Sequence, residues 1–531
     1  MKKLTFLFAA LLVMAVGCNK EMNPQKGDAP EEQVFLSFKI AMPDVKSSTD
    51  SDADDSYGSS DADPDIEVGT SDENTVKSID IILADENGAK KAEALNITQV
   101  QGVTTETYVA SFNRKDVFES ADYRVYIYVN GALEYSQDAV YTIASDNLES
   151  NIAKKDEFLM TNADDDNLIT MPADMKQFTV ASNPFNIGTF NVERAVARFD
   201  YKAEKTDNIY TWESVTAAGA KASEIQVQLT DIALVNLSKS FYHFRRTSAD
   251  GTAAGWTVGG TETNTNYVVD TDWEAKANHA NYDFSNNYLY YMTESEWTAL
   301  ADIIVDDNWT PAEGTVTDGY KKWRYVIENT IPSDGDDSDG NSNQINGLTT
   351  GVKFKGELQP SAAATEALKT AMQAGEQLFV FQNVMYGSWE MLENAANAEG
   401  STEYALQAAL ANLNKATGET EPTAEQLAAA GFKGFSANAD GKYEVIYTYW
   451  NRHNDNGDVA TMGPMEFSVV RNNVYKLSVT KIGGFGSPAD PNDPNPDPDP
   501  DPDTPDEDLN YYFQVAVKVL PWVVRVNNIE F

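Results

Sequence analysis

Residues 34–42 read "VFLSFKIAM", a run in which Val34, Leu36, Phe38, Ile40 and Met42 share one parity and Ser37, Lys39 and Ala41 fall on the other. Successive side chains of an extended chain point to opposite faces, so this pattern predicts a strand with one face buried. The same period returns at residues 513–526, "FQVAVKVLPWVVRV", where Phe513, Val515, Val517 and Val519 alternate with Gln514, Ala516 and Lys518. At Leu520-Pro521 the parity changes, and Leu520, Trp522, Val524 and Val526 carry the apolar face. Proline donates no ladder hydrogen bond and sits at edges or breaks. The segment therefore reads as two short strands bent at Leu520-Pro521, the first matching 34–42 in pattern and length. Two segments at opposite ends of one chain can then fill the same kind of groove, which is what strand exchange between subunits needs.

Between these ends the sequence is rich in short strand-like runs. "SIDIILA", "TYVASF", "YRVYIYVNG" and "FTVASN" come first; "SEIQVQLTDIALVNLS", "WRYVIENTI", "GVKFKGELQ", "QLFVFQNVMYG", "YEVIYTYW" and "VVRNNVYKLSVTKIGGFG" follow from residue 223 on. Helical patterns are few, mainly "SAAATEALKTAMQAG", "STEYALQAALANLNKA" and "TAEQLAAAG", and they lie between strands as insertions. Many short strands with turn signals between them predict a mainly β chain of sandwich or barrel domains rather than a doubly wound sheet, with a few inserted helices in the second domain. Alternation is lost in "KAEKTDNIYTWESVTAAGAKA", which places the boundary near residue 210 and gives domains 47–210 and 211–487. "VERAVARFDYKA" puts Val192, Ala195, Val196 and Phe199 at near-helical spacing with a β-like continuation, and its type stays open. Residues 488–508 hold eight prolines and eight aspartates, a stiff linker to the terminal strands at 509–531. At about 3.1 Å per residue such a segment reaches roughly 65 Å, whereas a strand destined for its own sheet needs a loop of only a few residues.

Composition narrows the partners. The chain of 531 residues carries 83 acidic against 39 basic side chains, a net charge of −44, which argues against nucleic acid and against an anionic membrane surface bound through charge. The acid is gathered in Asp50–Asp65, Asp164–Asp166, Asp334–Asp339 and Asp490–Asp508, blocks that read as solvated loops. The one cysteine, Cys18, ends "MKKLTFLFAALLVMAVGC", a basic start followed by an apolar run as in an exported signal. This resembles a bacterial lipoprotein signal, with Ala15 where leucine is usual. It implies removal of residues 1–17 and attachment of outer-membrane lipid at Cys18. One cysteine leaves no intrachain disulfide, so the core must supply the stability.

The chemistry of a catalyst is missing from the pattern, and neither enzymatic activity nor a cofactor is expected. His243, His279 and His453 lie far apart, without metal-ligand spacing. "WNRHNDNGD" (450–458) and "DGDDSDGN" (334–341) do not keep the register of a calcium loop. "IGGFG" (482–486) ends a strand and reads as a turn rather than a phosphate loop. Trp256, Trp297, Trp309, Trp323, Trp389 and Trp450 are candidates either for core packing or for a glycan site.

"VERAVAR" (192–198), "LTDIALVN" with "FYHFRR" (229–246), "VVRNNVYKLSVTKIGGFG" (469–486), the Pro/Asp linker and "VAVKVLPWVV" (515–524) together resemble the fimbrillin family of Bacteroidales, the major subunits of short fimbriae that build type V pili. The likeness is weak over residues 250–440. The resemblance implies two transthyretin-like β-sandwich domains and no enzyme. It implies export as a lipoprotein of the outer membrane, then cutting by a trypsin-like maturation protease after the first strand. The strand Val34–Met42 then leaves, and Phe513–Val526 of the next subunit takes its place. Repetition gives a homopolymer that works with accessory anchor and tip subunits in adhesion and biofilm formation. The family's cut follows an arginine, but no arginine precedes Arg114 here, and the cut is expected at Lys46-Ser47, making residues 18–46 a propeptide. The other expectation is a lipid-anchored adhesin, or an anchor or tip subunit, that binds a glycan or host ligand.

Overall fold

The computed structural model describes residues 32–41, 67–97, 107–131, 134–143, 147–164, 167–205, 207–216, 219–249, 251, 255–260, 266–277, 282–293, 296–303, 319–332, 348–413, 422–453, 465–489 and 513–523. Cys18, Met42, Lys46, Ser47, Val524 and Val526 lie outside them, as do most of the Pro/Asp linker and both calcium-like loops beyond residues 450–453.

The longer strands of the amino-terminal half are β1 (Gln33–Ala41), β2 (Ile79–Ala84), β3 (Lys90–Ile97), β4 (Thr107–Asn113), β5 (Asp122–Val129), β6 (Met160–Asn162), β7 (Leu168–Thr170) and β8 (Phe185–Arg194). They form one sheet in the order β3-β2-β5-β6-β8-β1-β4, with β7 beside β5. Its two ends, β3 and β4, come into contact, so the sheet folds over its own apolar face. The strands with the longest apolar runs, such as "IDIILA" of β2, are buried along their whole length.

The second half contributes β9 (Ala197–Tyr201), β10 (Ile209–Thr216), β11 (Gly219–Val235), β12 (Lys321–Val326), β13 (Gly351–Pro360), β14 (Tyr443–Trp450), β15 (Asn473–Ile482) and β16 (Phe513–Val523). One layer runs β16-β15-β9-β12, and the facing layer runs β10-β11-β13-β14. Phe199, Tyr475, Leu477 and Val479 of the first layer and Val227, Leu229, Phe354 and Tyr447 of the second share one core, the mark of a sandwich. Helices Glu366–Ala374, Trp389–Asn397, Tyr404–Asn412 and Ala424–Ala429 decorate this half around a small three-stranded sheet. Their own core includes Phe379, Trp389, Leu392, Leu406 and Phe432.

Several local readings change. "FTVASN" (178–183) is a turn, not a strand: Asn183 closes it through N–H to the Val180 carbonyl at 3.0 Å and through its side-chain amide to Gln177 at 2.7 Å. Only Phe178 of that run packs, against Phe185. "SWEMLENAAN" forms a helix that strand-seeking alternation passes over; Ser388 caps it, and Trp389, Leu392 and Ala396 line its buried face. "VERAVARFDYKA" is the end of β8 and the whole of β9, joined by a bend at Ala195–Val196 where the chain passes from one sheet to the other. The terminal segment is one continuous strand through Leu520 and Pro521, so its parity changes inside a strand rather than at a bend.

Candidate strand-exchange site

The first strand occupies an interior slot. β1 pairs antiparallel with β4 over seven consecutive positions, from Gln33 opposite Asn113 to Lys39 opposite Thr107. On its other side it pairs parallel with β8, from Leu36 opposite Phe185 to Ala41 opposite Asn191, with an irregularity between Ser37 and Lys39. Val34, Leu36 and Phe38 have no exposed surface, Phe38 stacks on Tyr108 at 5.8 Å, and Ile40 packs at the core margin. Seating these three fully buried side chains contributes on the order of 5–9 kcal/mol, an upper figure set by the reference chosen for the unfolded chain. A chain without β1 would present an apolar trough walled by β4 and β8, each with an unsatisfied ladder edge. Such a trough accepts an extended strand of the same period.

The terminal strand lies in the other half. β16 pairs antiparallel with β15, from Asn473 opposite Pro521 to Ile482 opposite Phe513, with an irregularity between Val479 and Lys481. Along its second edge, among the described residues, Trp522 and Val523 are paired, parallel to the two-residue strand Glu67–Val68. The two end strands thus belong to different sheets, and the structure does not bring them to one slot.

What joins the halves is a buried polar junction built from the charged residues of the quoted motifs. Arg198 donates to Glu73 at 3.1 Å and to Asp200 at 2.7 Å, and Tyr325 donates its hydroxyl to Glu73 at 2.6 Å. Arg194, wholly buried, donates to Asn472 at 3.3 Å, to the Glu73 carbonyl at 3.2 Å and to Asn74. Arg471 donates its Nε to Glu328 at 2.8 Å and its guanidinium to the carbonyls of Tyr242 at 2.8 Å and His243 at 3.2 Å. Arg245 pairs with Glu193, and the Tyr128 hydroxyl lies 3.0 Å from His243 Nδ1. Sequence reading singled out these motifs without a role for their charges. The available signal was Arg198, a charge standing in a strand between Ala197 and Phe199.

Electrostatics at the junction follow from burial. Burial works against ionising Glu73, yet Arg198 and Arg194 hold its carboxyl below the usual range. Burial raises Glu193 to about 7 in spite of the Arg245 and Arg471 charges. Burial, with the Arg471 charge beside it, lowers His243 to about 4, so the ring is neutral near pH 7. Among the described residues no group of His, Cys, Asp and Glu is placed to hold a metal ion. Of the six tryptophans singled out, Trp309 lies outside the described residues and the other five pack: Trp389 and Trp450 are buried, Trp323 meets Phe199 edge-on, Trp256 lies under the Arg246 guanidinium, and Trp297 lies under Lys355.

Residues 442–528 match the family model described as the major fimbrial subunit protein type IV, fimbrillin, C-terminal. The matched stretch runs from β14 through β15 to the terminal strand. No curated protein sequence matches the chain. Among solved structures it is similar to a fimbrillin from Porphyromonas gingivalis, at 14% identity, covering 93% of this chain and 98% of that one, with a TM-score of 0.38. It is likewise similar to a carboxy-terminally truncated tip fimbrial protein from the same organism, at 9% identity, covering 92% of this chain and all of that one, with a TM-score of 0.33.

Proposed function

We propose that this chain is the structural subunit of a fimbrial stalk that polymerises by exchange of end strands. It is exported as a lipoprotein precursor, acylated at Cys18, and matured by a trypsin-like protease cutting at Lys46-Ser47. The cut frees Val34–Met42 to leave its slot. Phe513–Val526 of the next subunit, carried on the Pro/Asp linker, fills the trough between β4 and β8. The resulting homopolymer associates with anchor and tip subunits and serves adhesion and biofilm formation.

The observation that supports this most is the seat of β1: a chain-end strand hydrogen-bonded on both edges, with three side chains of zero exposure. A strand so placed leaves a ready-made binding trough. The fimbrillin match over 442–528 ends on the same segment that the proposal makes the donor.

The test is assembly of the full chain after limited trypsin treatment. Expected are a new amino terminus at Ser47 and fibres visible by electron microscopy; a chain lacking residues 512–531 should be cut in the same way and stay monomeric. Fibres from the truncated chain would overturn strand exchange through this tail. A chain that resists cutting and keeps its lipid would instead be an anchor subunit, a reading favoured by the absence of arginine before Arg114.

A further inference from the structure

Deep in the carboxy-terminal half lies a cluster that the assembly scheme does not use. Lys276, on the short helix Trp273–Ala277, is 1% exposed, as are Asp270 just before that helix and Asn329 just after β12. The Lys276 amine donates to the Asn329 side-chain carbonyl at 2.7 Å, to the Thr330 backbone carbonyl at 3.0 Å and to the Asp270 carboxylate. A second carboxylate oxygen, Asp272 Oδ1, stands 3.0 Å from the same amine without hydrogen-bond alignment.

The asparagine side chain is held in one orientation. Its Nδ2 donates to the carbonyl of Leu348 and the hydroxyl of Thr350, both at 3.0 Å, which turns its Oδ1 toward the lysine. Its backbone is fixed by two hydrogen bonds with Val469, at 2.8 and 2.7 Å. Asp270 accepts from the Thr330 N–H at 2.9 Å through Oδ2, while its buried Oδ1 has no partner among the described residues.

We propose that Lys276 and Asn329 become joined by an intramolecular isopeptide bond, with Asp270 as the proton carrier. Asp270 takes a proton from the ammonium, which replaces two buried charges by two neutral groups in an apolar interior. Burial and the neighbouring Asp272 raise the proton affinity of Asp270, while the two carboxylates raise that of Lys276 in turn, so the neutral pair is a minor state of the ion pair from which the reaction proceeds. The freed Nζ lone pair attacks Cγ of Asn329, and the Cγ–Nδ2 bond breaks with its electron pair on nitrogen. The proton lost by Nζ passes to that nitrogen by way of Asp270. Lys276-NH3+, the Asp270 carboxylate and the Asn329 carboxamide are thereby converted into a secondary amide, free ammonia and a neutral Asp270 carboxyl. No oxidant or external reagent is consumed, and reactant fixation in a dry site supplies the effective concentration. The new bond would tie two segments 53 residues apart into a closed loop beside the polar junction, where a pulled fibre needs resistance to unfolding.

Peptide mapping by mass spectrometry of the purified full chain tests this. The expected result is a branched peptide joining Lys276 to Asn329, lighter than the sum of its two arms by one ammonia and unaffected by reductant. It should be absent from the Lys276→Met and Asp270→Asn variants. Because the decisive reading is made on the unaltered chain, it does not depend on either variant folding. Two separate unmodified peptides would overturn the proposal. So would a branch that has lost water and ends at Asp270, since that makes the aspartate, not Asn329, the acyl partner.

Discussion

The first strand and the first part of the terminal strand have nearly the same pattern, yet they are seated differently. β1 has both edges bonded, whereas β16 has one long ladder and, among the described residues, a second edge paired at Trp522 and Val523. Withdrawal of β1 breaks two ladders and opens a core. Withdrawal of β16 breaks one ladder and a two-residue contact. A strand like β1 leaves only when something severs it and something else replaces it, while a strand like β16 is poised to change partners. Under the proposed exchange, this asymmetry would set the direction: one end would receive and the other give.

The largest way to break this comparison is to place a charge in the receiving slot. Leu36→Asp buries an unpaired carboxylate at a position of zero exposure and should destabilise the precursor by about 4–5 kcal/mol. Urea unfolding followed by circular dichroism measures it. Removing residues 513–531 should lower the midpoint by much less. If the two changes cost the same, the seats are not different and the directional argument fails.

Next comes the junction that holds the two seats at a fixed distance. Arg471→Ala strands the Glu328 carboxylate without its bidentate partner and takes one donor each from the Tyr242 and His243 carbonyls, the second of which keeps its bond from the Thr161 hydroxyl. Loss of one partner of a buried pair costs about 3–5 kcal/mol. Pulling or limited proteolysis should then show the two halves unfolding separately, where the native chain unfolds as one.

What was legible beforehand was local. The period of two in 34–42 and 513–519 needs no partner to be recognised, and both stretches are strands in the structure. The place of the terminal strand was not legible, because alternation states that a face is apolar and says nothing of which sheet edge meets it. "FTVASN" alternates for three residues but lies where Asn183 prefers to close a turn. The handover at Ala195–Val196 was hidden for a related reason: both sheets bury the same kind of side chain, so hydrophobicity does not dip where the chain crosses. The arginines of "VERAVAR" and "VVRNNVY" would pass for surface charge, since their acidic partners Glu73 and Glu328 are 125 and 143 residues away.

A pH titration sharpens the role of the junction. His243 has its folded value lowered to about 4 from an ordinary 6.5, so the unfolded chain binds the proton first. Its contribution is therefore present above pH 6.5 and is lost as the pH falls toward 4, by about 2–3 kcal/mol in all. Glu193 acts with the opposite sign. Its folded value of about 7 lies above the ordinary 4.5, so it removes stability as the pH rises between those two. His243→Gln should flatten the acid limb of stability against pH and leave the limb due to Glu193. An unchanged acid limb in the variant would mean that the ring between Tyr128 and Arg471 does not couple the halves to pH.

The smallest expected effect concerns the departure point of the donor. Gly486, last residue of "IGGFG", packs so closely on β14 that a Cβ there would stand 2.2 Å from the Ile446 carbonyl oxygen. Backbone oxygen cannot yield as a flexible side chain does, so Gly486→Ala must push the Ser487–Pro488 pairing off Val445–Ile446. A shift of this kind costs about 1–3 kcal/mol. The linker to β16 starts from that pairing, so the change alters where the giving strand is launched without touching either slot. The expected outcome is a slightly lower urea midpoint at unchanged slope, with fibres that still form but more slowly. If assembly keeps its native rate while stability drops, the launch point does not govern exchange, and the linker's reach alone suffices.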